Sequence, residues 1–130
     1  MSAPLEVNDP QVLADLTAAF EAYERALVDN DIPALNRMFW DSPLTLRYGT
    51  RAHELLRSHA EIAEFRLKRG AVDQRRTLRN TRIVTFGRDF GVANTEFSPA
   101  GSDKIGRQSQ TWVRTAEGWK IVSAHVSFGA

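Results

Sequence analysis

Hydrophobic residues recur at steps of three and four in the first part of the chain, which is the spacing of amphipathic helices. The first helix is predicted to begin after Asp9, an N-cap residue followed by Pro10, and to end near Asn30. A short second helix is predicted after Asp31, and a third over residues 58–69, which open with a capping-box motif. The apolar face of the first helix is formed by Val12, Leu13, Leu16, Phe20, Tyr23 and Leu27.

From residue 45 onward, stretches of alternating polar and apolar residues predict β-strands. A short strand is predicted at residues 45–48. Four longer strands follow at about residues 77–86, 90–98, 106–114 and 119–128. Turn residues link the long strands, so an antiparallel meander is expected, within one α+β domain over residues 1–130. If the sheet curls, the helices and its concave face enclose a pocket, and a homodimer through the sheet would cover the other face.

The overall composition excludes several classes of protein. The chain is 42% hydrophobic and 25% charged, as is ordinary for a globular domain, and it contains no cysteine for disulfides or thiol chemistry. A net charge of +1 argues against nucleic-acid binding. The chain has neither an apolar run long enough for a membrane span nor a signal-peptide pattern, so a cytoplasmic location without membrane contact is expected.

The distribution of charge is more informative than its sum. Residues 1–46 contain two basic and eight acidic side chains, whereas residues 47–82 contain ten basic and four acidic ones. Most of these arginines are expected on a solvated face. Any arginine that points inward would favour a small anionic ligand.

The last two predicted strands carry polar residues where a purely structural hairpin would carry aliphatic ones: Arg107, Gln108, Ser109, Gln110, His125 and Ser127. Buried polar groups are costly unless they are paired. These side chains therefore form a satisfied network, line a cavity, or lie in a dimer interface. Strict alternation puts Gln108, Gln110 and Trp112 on one face, and His125 on the same face of its strand as Ile121. The alternation does not decide which face is concave.

Several segments of the chain resemble the AtzH/HpxZ group of the NTF2-like, or SnoaL-like, superfamily, and the resemblance covers nearly the whole chain. The segments are ALVDNDIPALNRMFW, TLRYG, EIAEFRLKR, TFGRDFGVANTEF and IGRQSQTWVRTAEGWKIVSAHVS. The resemblance implies a cone in which three N-terminal helices pack on a curved, mostly antiparallel sheet that encloses a pocket.

The same resemblance implies a cofactor-independent amidohydrolase in nitrogen-compound catabolism, acting on a small carboxylated urea. The AtzH branch is linked to hydrolysis of 1,3-dicarboxyurea toward allophanate. The superfamily also contains isomerases, dehydratases and binding modules, so fold alone does not decide function. A non-catalytic protein that binds a small anion or docks to an amidase partner, and an isomerase or dehydratase, therefore stay open.

Two residues match the group's positions and are expected to be catalytic. Arg47 would bind a carboxylate through two parallel hydrogen bonds, and Tyr23 would polarise a carbonyl or relay a proton. The alternatives are a tyrosine that only packs in the core and an arginine on an edge strand that points to solvent.

Substrate-binding roles are expected at further positions, with alternatives at several of them. Arg66 would supply a second cation or lie, like Arg69, at a solvated helix end. Glu96 would hold the arginines or act as a base, and His125 would be a base or an interface histidine. The expected substrate-binding residues are Arg66, Trp40, Glu96, Gln108, Trp112 and His125. The three histidines lack metal-ligand spacing, so no metal or cofactor is expected.

Overall fold

Three helices pack on one face of a six-stranded sheet in this computed structural model, which describes residues 4–129. The helices are α1 (Pro10–Val28), α2 (Ile32–Met38) and α3 (His59–Arg69). The strands are β1 (Leu46–Tyr48), β2 (Leu55–Leu56), β3 (Arg76–Phe86), β4 (Phe90–Pro99), β5 (Gly106–Thr115) and β6 (Gly118–Phe128). Residues 1–3 and 130 of the predicted domain lie outside the described residues.

The strand order is β2-β1-β6-β5-β4-β3, and among these pairs β1 and β6 run parallel while the others are antiparallel. The predicted α+β class, with helices on a mostly antiparallel sheet, is therefore confirmed. Strand β2 was not predicted, because two residues are too few to show alternation. It pairs with β1 across a turn in which the Gly49 amide donates to the Glu54 carbonyl at 2.8 Å.

The N-terminal cap of α1 forms as the sequence predicts. One carboxylate oxygen of Asp9 accepts hydrogen bonds from the amides of Gln11 and Val12, at 3.0 and 3.1 Å, and Pro10 occupies the first helical position. The apolar face of the helix then lies on the sheet. Each such side chain contributes about 1.5–3 kcal/mol by burial. The core contains Leu16, Phe20, Tyr23, Leu35, Phe39, Ile62, Ala93, Trp112, Ile121 and Ala124.

A β-bulge in β6 changes which residues face the helices. Thr111 of β5 pairs with Ser123, but Trp112 pairs with Ile121, so Val122 is an extra residue. Ile121 and Ala124 therefore both point to the face that the helices cover, here called the inner face. The alternation shifts by one residue, and His125 lies exposed on the opposite, outer face. The prediction that His125 shares a face with Ile121 is wrong for this reason.

Replacing Gly106 by alanine is expected to destabilise the sheet. A Cβ atom at Gly106 would lie 2.2 Å from Cζ of the buried Phe97 ring, which would have to move. Overpacking of this kind costs about 1–3 kcal/mol. Denaturant unfolding of Gly106→Ala measures the loss, with Ser109→Ala on the outer face of the same strand as the control. Equal unfolding midpoints for Gly106→Ala and the wild type would contradict this packing.

Candidate anion-binding site

A cavity of about 240 Å³ lies between the helices and the inner face of the sheet. It is smaller than the roughly 300–1,000 Å³ of pockets that take drug-sized ligands, so it suits a small metabolite. One wall is apolar and is formed by Leu27, Phe97, Val126 and Phe128. The polar side chains that line the cavity include Tyr23, Arg47, Glu54, Arg69, Arg76 and Gln108.

Tyr23 and Arg47 face this cavity from different elements. Tyr23 comes from the inner face of α1, is 3% exposed and packs edge-on against Phe39, with ring centroids 6.3 Å apart. Arg47 comes from β1, which lies between β2 and β6 and is not an edge strand. Its Nη1 is buried and has no hydrogen-bond partner among residues 4–129. The structure thus brings the two expected catalytic residues to one cavity.

Two further arginines reach this region from α3. Arg66 is 2% exposed, and its guanidinium lies 5.2 Å from the centroid of the Phe39 ring. Arg47 and Arg69 lie over the Phe65 ring at 5.7 and 5.3 Å. The aromatic rings stabilise the cations from the side but accept no conventional hydrogen bond. Within the described chain, Nε and Nη2 of Arg66 and Nε of Arg69 are buried without partners.

This clustering of arginines changes their electrostatics. Burial lowers the pKa of Arg47 from its ordinary value; Tyr23 and Glu54 act against this shift, whereas Arg66 and Arg69 lower the pKa further. The pKa of Arg69 is lowered as well, first by burial and then by Arg66. A lowered pKa means that the folded protein binds the proton less tightly than the unfolded chain. Keeping these groups charged at neutral pH therefore costs folding free energy, and an anionic ligand would offset that cost.

The two other arginines that line the cavity are already paired. Arg76 is bound by Glu24, and Arg75 forms an exposed pair with Asp73 at 2.8 Å; the hydrogen bonds from Arg75 lower the pKa of Asp73 to about 2. The Glu54 carboxylate also lines the cavity, where one of its oxygens accepts from the Arg51 amide (2.7 Å) and the Thr50 hydroxyl (3.2 Å), and its charge offsets part of the charge of Arg47 and Arg69. Within residues 4–129, no carboxylate forms a salt bridge with Arg47, Arg66 or Arg69.

Gln108 also presents a donor without a partner. It lies on β5, is 3% exposed, and its Oε1 accepts from Nη2 of Arg76 at 3.0 Å. Its Nε2 is buried and forms no hydrogen bond with the described residues. Native proteins leave few buried polar groups unpaired. Three such nitrogens belong to residues that line the cavity, Arg47, Arg69 and Gln108, and they indicate a binding site for a ligand rich in acceptor oxygens.

Five of the expected substrate-binding residues do not line this cavity, Arg66 among them, because its side chain is buried against Phe39. Trp112 is fully buried in the core, where its Nε1 donates to Oε1 of Gln110 at 3.0 Å. Trp40 lies in a separate surface depression with His59. Strand alternation places Glu96 on the outer face, and the bulge does the same for His125. These placements correct the grouping expected from the sequence and take His125 and Glu96 out of reach as bases for the cavity.

Other residues of the site were not predicted. Glu24 follows Tyr23 on α1, outside the apolar series, and Arg76 precedes the start predicted for β3. The two side chains form an ion pair across 52 positions of sequence, a contact that no local pattern reveals. Glu54 lies in the segment around β2, which no motif marked. Between residues 4 and 129, no group of three or more His, Asp or Glu side chains is arranged to hold a metal ion, and no helix is long and apolar enough to cross a membrane.

Replacing Arg66 by methionine is expected to stabilise the unliganded protein. The change removes a buried, partly unpaired charge and keeps an unbranched side chain of similar length. Replacing buried charged groups by apolar residues of similar volume is often neutral or stabilises a protein by about 1–4 kcal/mol. Thermal unfolding without ligand measures the effect, and Lys68→Met, at an exposed position of the same helix, is the control. A lower unfolding temperature for Arg66→Met would mean that the Arg66 charge is compensated within the protein.

Comparisons with known proteins agree with this architecture. A sequence model of the AtzH-like family matches residues 5–130. Among curated proteins, none matches the chain significantly. A protein of unknown function from Pectobacterium atrosepticum is 52% identical, with a TM-score of 0.91 and 95% of each chain covered. A cystatin-like fold protein from Burkholderia xenovorans is 46% identical, with a TM-score of 0.90 and coverage of 97% of this chain and 98% of that chain.

A more distant structure shows the same fold. An NTF2-like protein of unknown function from Pseudomonas putida is 14% identical, with a TM-score of 0.76 and coverage of 90% of this chain and 86% of that chain. The predicted NTF2-like fold, three helices on a curved and mostly antiparallel sheet, is therefore confirmed.

Proposed function

Because this chain belongs to the AtzH-like family, we propose that it is an amidohydrolase that acts on a small carboxylated urea such as 1,3-dicarboxyurea. The observation that carries the proposal is the cluster of Arg47, Arg66 and Arg69, whose buried nitrogens lack partners among residues 4–129. A carboxylate offers acceptor oxygens in the planar arrangement that a guanidinium binds best. A dicarboxylate would neutralise the excess charge of the cluster and satisfy its donors.

The proposed reaction adds water across a bond between a terminal carboxyl carbon and its nitrogen. The water oxygen joins the carboxyl carbon, which leaves as bicarbonate, and the nitrogen takes a proton and remains in allophanate as its amino group. Tyr23 would donate that proton from its hydroxyl and be reprotonated by the attacking water. Arg47 lies beside Tyr23 and would hold the carboxylate while negative charge develops on it.

A second function rests on the same arginine cluster. A protein that binds a small anion, or docks to an amidase partner while holding one, needs the unpaired donors of the cluster and no catalytic step.

The release of carbon dioxide or ammonia by the purified protein tests the proposal. The substrates are carboxylated ureas, oxalurate and allophanate, and Arg47→Ala is assayed in parallel. Turnover that depends on Arg47 is the expected result. The wild type could show no turnover and yet unfold at a higher temperature when one of these compounds is added. If Arg47→Ala did not show that rise, the result would favour the binding protein over the hydrolase.

A further inference from the structure

The orientation of the Gln108 carboxamide is determined by its neighbour. Arg76 has only donors on its guanidinium, so the atom of Gln108 that faces it must be the oxygen, as the 3.0 Å contact with Oε1 requires. The amide nitrogen is therefore turned away from Arg76. Gln108 lines the cavity, and its Nε2 is buried and unpaired within the described part of the chain.

Arg76 is itself held in place on two sides. Its Nε donates to one carboxylate oxygen of Glu24 at 3.1 Å, and its Nη2 donates to the other. Its guanidinium also lies 4.5 Å from the centroid of the Phe97 ring. The side chains of Arg76 and Glu24 are 7% and 14% exposed, so solvent competes little with this fork. The Glu24 carboxylate cancels the Arg76 charge, which leaves Arg76 to orient Gln108 and not to act as a further free cation.

We propose that Gln108 selects ligands that carry a carbonyl group between two carboxylates, and that Arg76 and Glu24 are its positioning residues. This inference rests on the proposed function, in which Arg47 and Arg69, with the charge of Arg66 beside them, bind carboxylate. The Gln108 amide donates to the central carbonyl oxygen, which is the urea oxygen in 1,3-dicarboxyurea. A ligand with a methylene at that place leaves the buried amide unpaired and binds more weakly.

Two dicarboxylates without a hydrolysable bond isolate this contact. 3-Oxoglutarate has the shape of dicarboxyurea with methylene groups in place of the nitrogens, so it keeps the central carbonyl but has no C–N bond to hydrolyse. Glutarate has the same chain length and charge without the carbonyl. Calorimetric titration of the wild-type protein is expected to show about tenfold tighter binding of 3-oxoglutarate.

Variants then assign the preference to Gln108. Gln108→Met removes the donors at similar volume, and the ratio of the two affinities is expected to fall to about one while glutarate binding persists. Gln74→Met is the matched control, since Gln74 also lines the cavity but is not held by Arg76. Its ratio is expected to stay at the wild-type value.

The positioning role is tested with Gln108 left in place. The double variant Glu24→Gln/Arg76→Met removes both members of the ion pair and so leaves no buried charge unpaired. Gln108 can then turn its oxygen toward the ligand, and the ratio is expected to fall to about one. If the pair were only structural, the double variant would change the unfolding temperature and leave the ratio of the two affinities at the wild-type value.

Each of four results would contradict a different part of this reasoning about the site. A wild-type ratio near one would overturn the inference and leave the dicarboxylate site standing, and this result needs no variant to fold. A preference that survives in Gln108→Met would overturn the role of Gln108. A preference that survives in the double variant would overturn the positioning role of Arg76 and Glu24. If neither ligand bound the wild type, the proposed function would fail together with this inference.

Discussion

A Tyr23→Phe variant is expected to hydrolyse carboxylated ureas at least about a hundredfold more slowly than the wild type, the scale of a lost proton-transfer group. The change removes one hydroxyl from a side chain that is 3% exposed and keeps the ring that packs against Phe39. The unfolding temperature and the affinity for 3-oxoglutarate are therefore expected to stay close to wild-type values. Single-turnover rates measured beside calorimetric titration separate the chemical step from binding.

Tyr48→Phe is the control for this experiment. Tyr48 is exposed and packs edge-on against His125 on the outer face, with ring centroids 5.5 Å apart. It should retain wild-type turnover. A fully active Tyr23→Phe protein would remove Tyr23 from the mechanism, and a variant that lost binding as well as turnover would make Tyr23 a ligand contact and not a proton donor.

An Arg47→Met variant is expected to bind 3-oxoglutarate about a hundredfold more weakly, because the bound carboxylate would lose its charged partner in the cavity. Methionine places an apolar side chain of similar length beside the Phe65 ring, which the Arg47 guanidinium contacts at 5.7 Å, so the fold should survive. The unliganded variant should also unfold no earlier than the wild type, since a buried and partly unpaired charge is gone. Calorimetric titration and thermal unfolding measure the two effects.

The control for Arg47 is Arg75→Met. Arg75 also lines the cavity, but it is exposed and its charge is already paired with Asp73. Removing it should change the affinity by less than about threefold, as for most surface ion pairs. Equal losses in the two variants would indicate a general electrostatic effect of the basic surface, and no specific role for Arg47. Arg47→Lys should fall between wild type and Arg47→Met, because it keeps the charge and loses the fork.

The unliganded site holds a conflict between stability and function. Arg66 is almost fully buried, and two of its nitrogens lack partners within residues 4–129. Selection for stability alone would favour an apolar residue there. The retained charge is explained if an anion binds, because binding to the folded state alone stabilises it by mass action. The stabilisation expected for Arg66→Met and the loss of binding expected for Arg47→Met are therefore two consequences of one cause.

Local patterns in the sequence were sufficient to predict the helices and the long strands, and to single out two of the site residues, Tyr23 and Arg47. The series of apolar residues that ends at Leu27 carries Tyr23 on the buried side of α1, so its inward direction follows from helical spacing. Arg47 alternates with Leu46 and Tyr48 on a short strand, and the sequence left its direction open. The register of β1 on β6 settles that direction, because Arg47 pairs with Ala124, which points to the inner face.

Features that depend on one or two residues of register, or on distant contacts, could not be predicted. The bulge at Val122 shifts the alternation of β6 and moves His125 to the outer face, yet nothing in the local sequence marks the extra residue. Arg66 was expected either at a solvated helix end or as a second cation for the substrate, and its burial against the Phe39 ring excludes the solvated end. The pairing of Glu24 with Arg76 depends on the docking of α1 against β3.

A crystal structure of the protein soaked with 3-oxoglutarate shows whether the arginines of the cavity bind a dicarboxylate. We expect the ligand inside the cavity, with carboxylate oxygens at about 2.7–3.2 Å from Nη1 of Arg47 and from Nε of Arg69. If the cavity held only water at saturating ligand, with those nitrogens bonded to the water, the arginines would not be a dicarboxylate site.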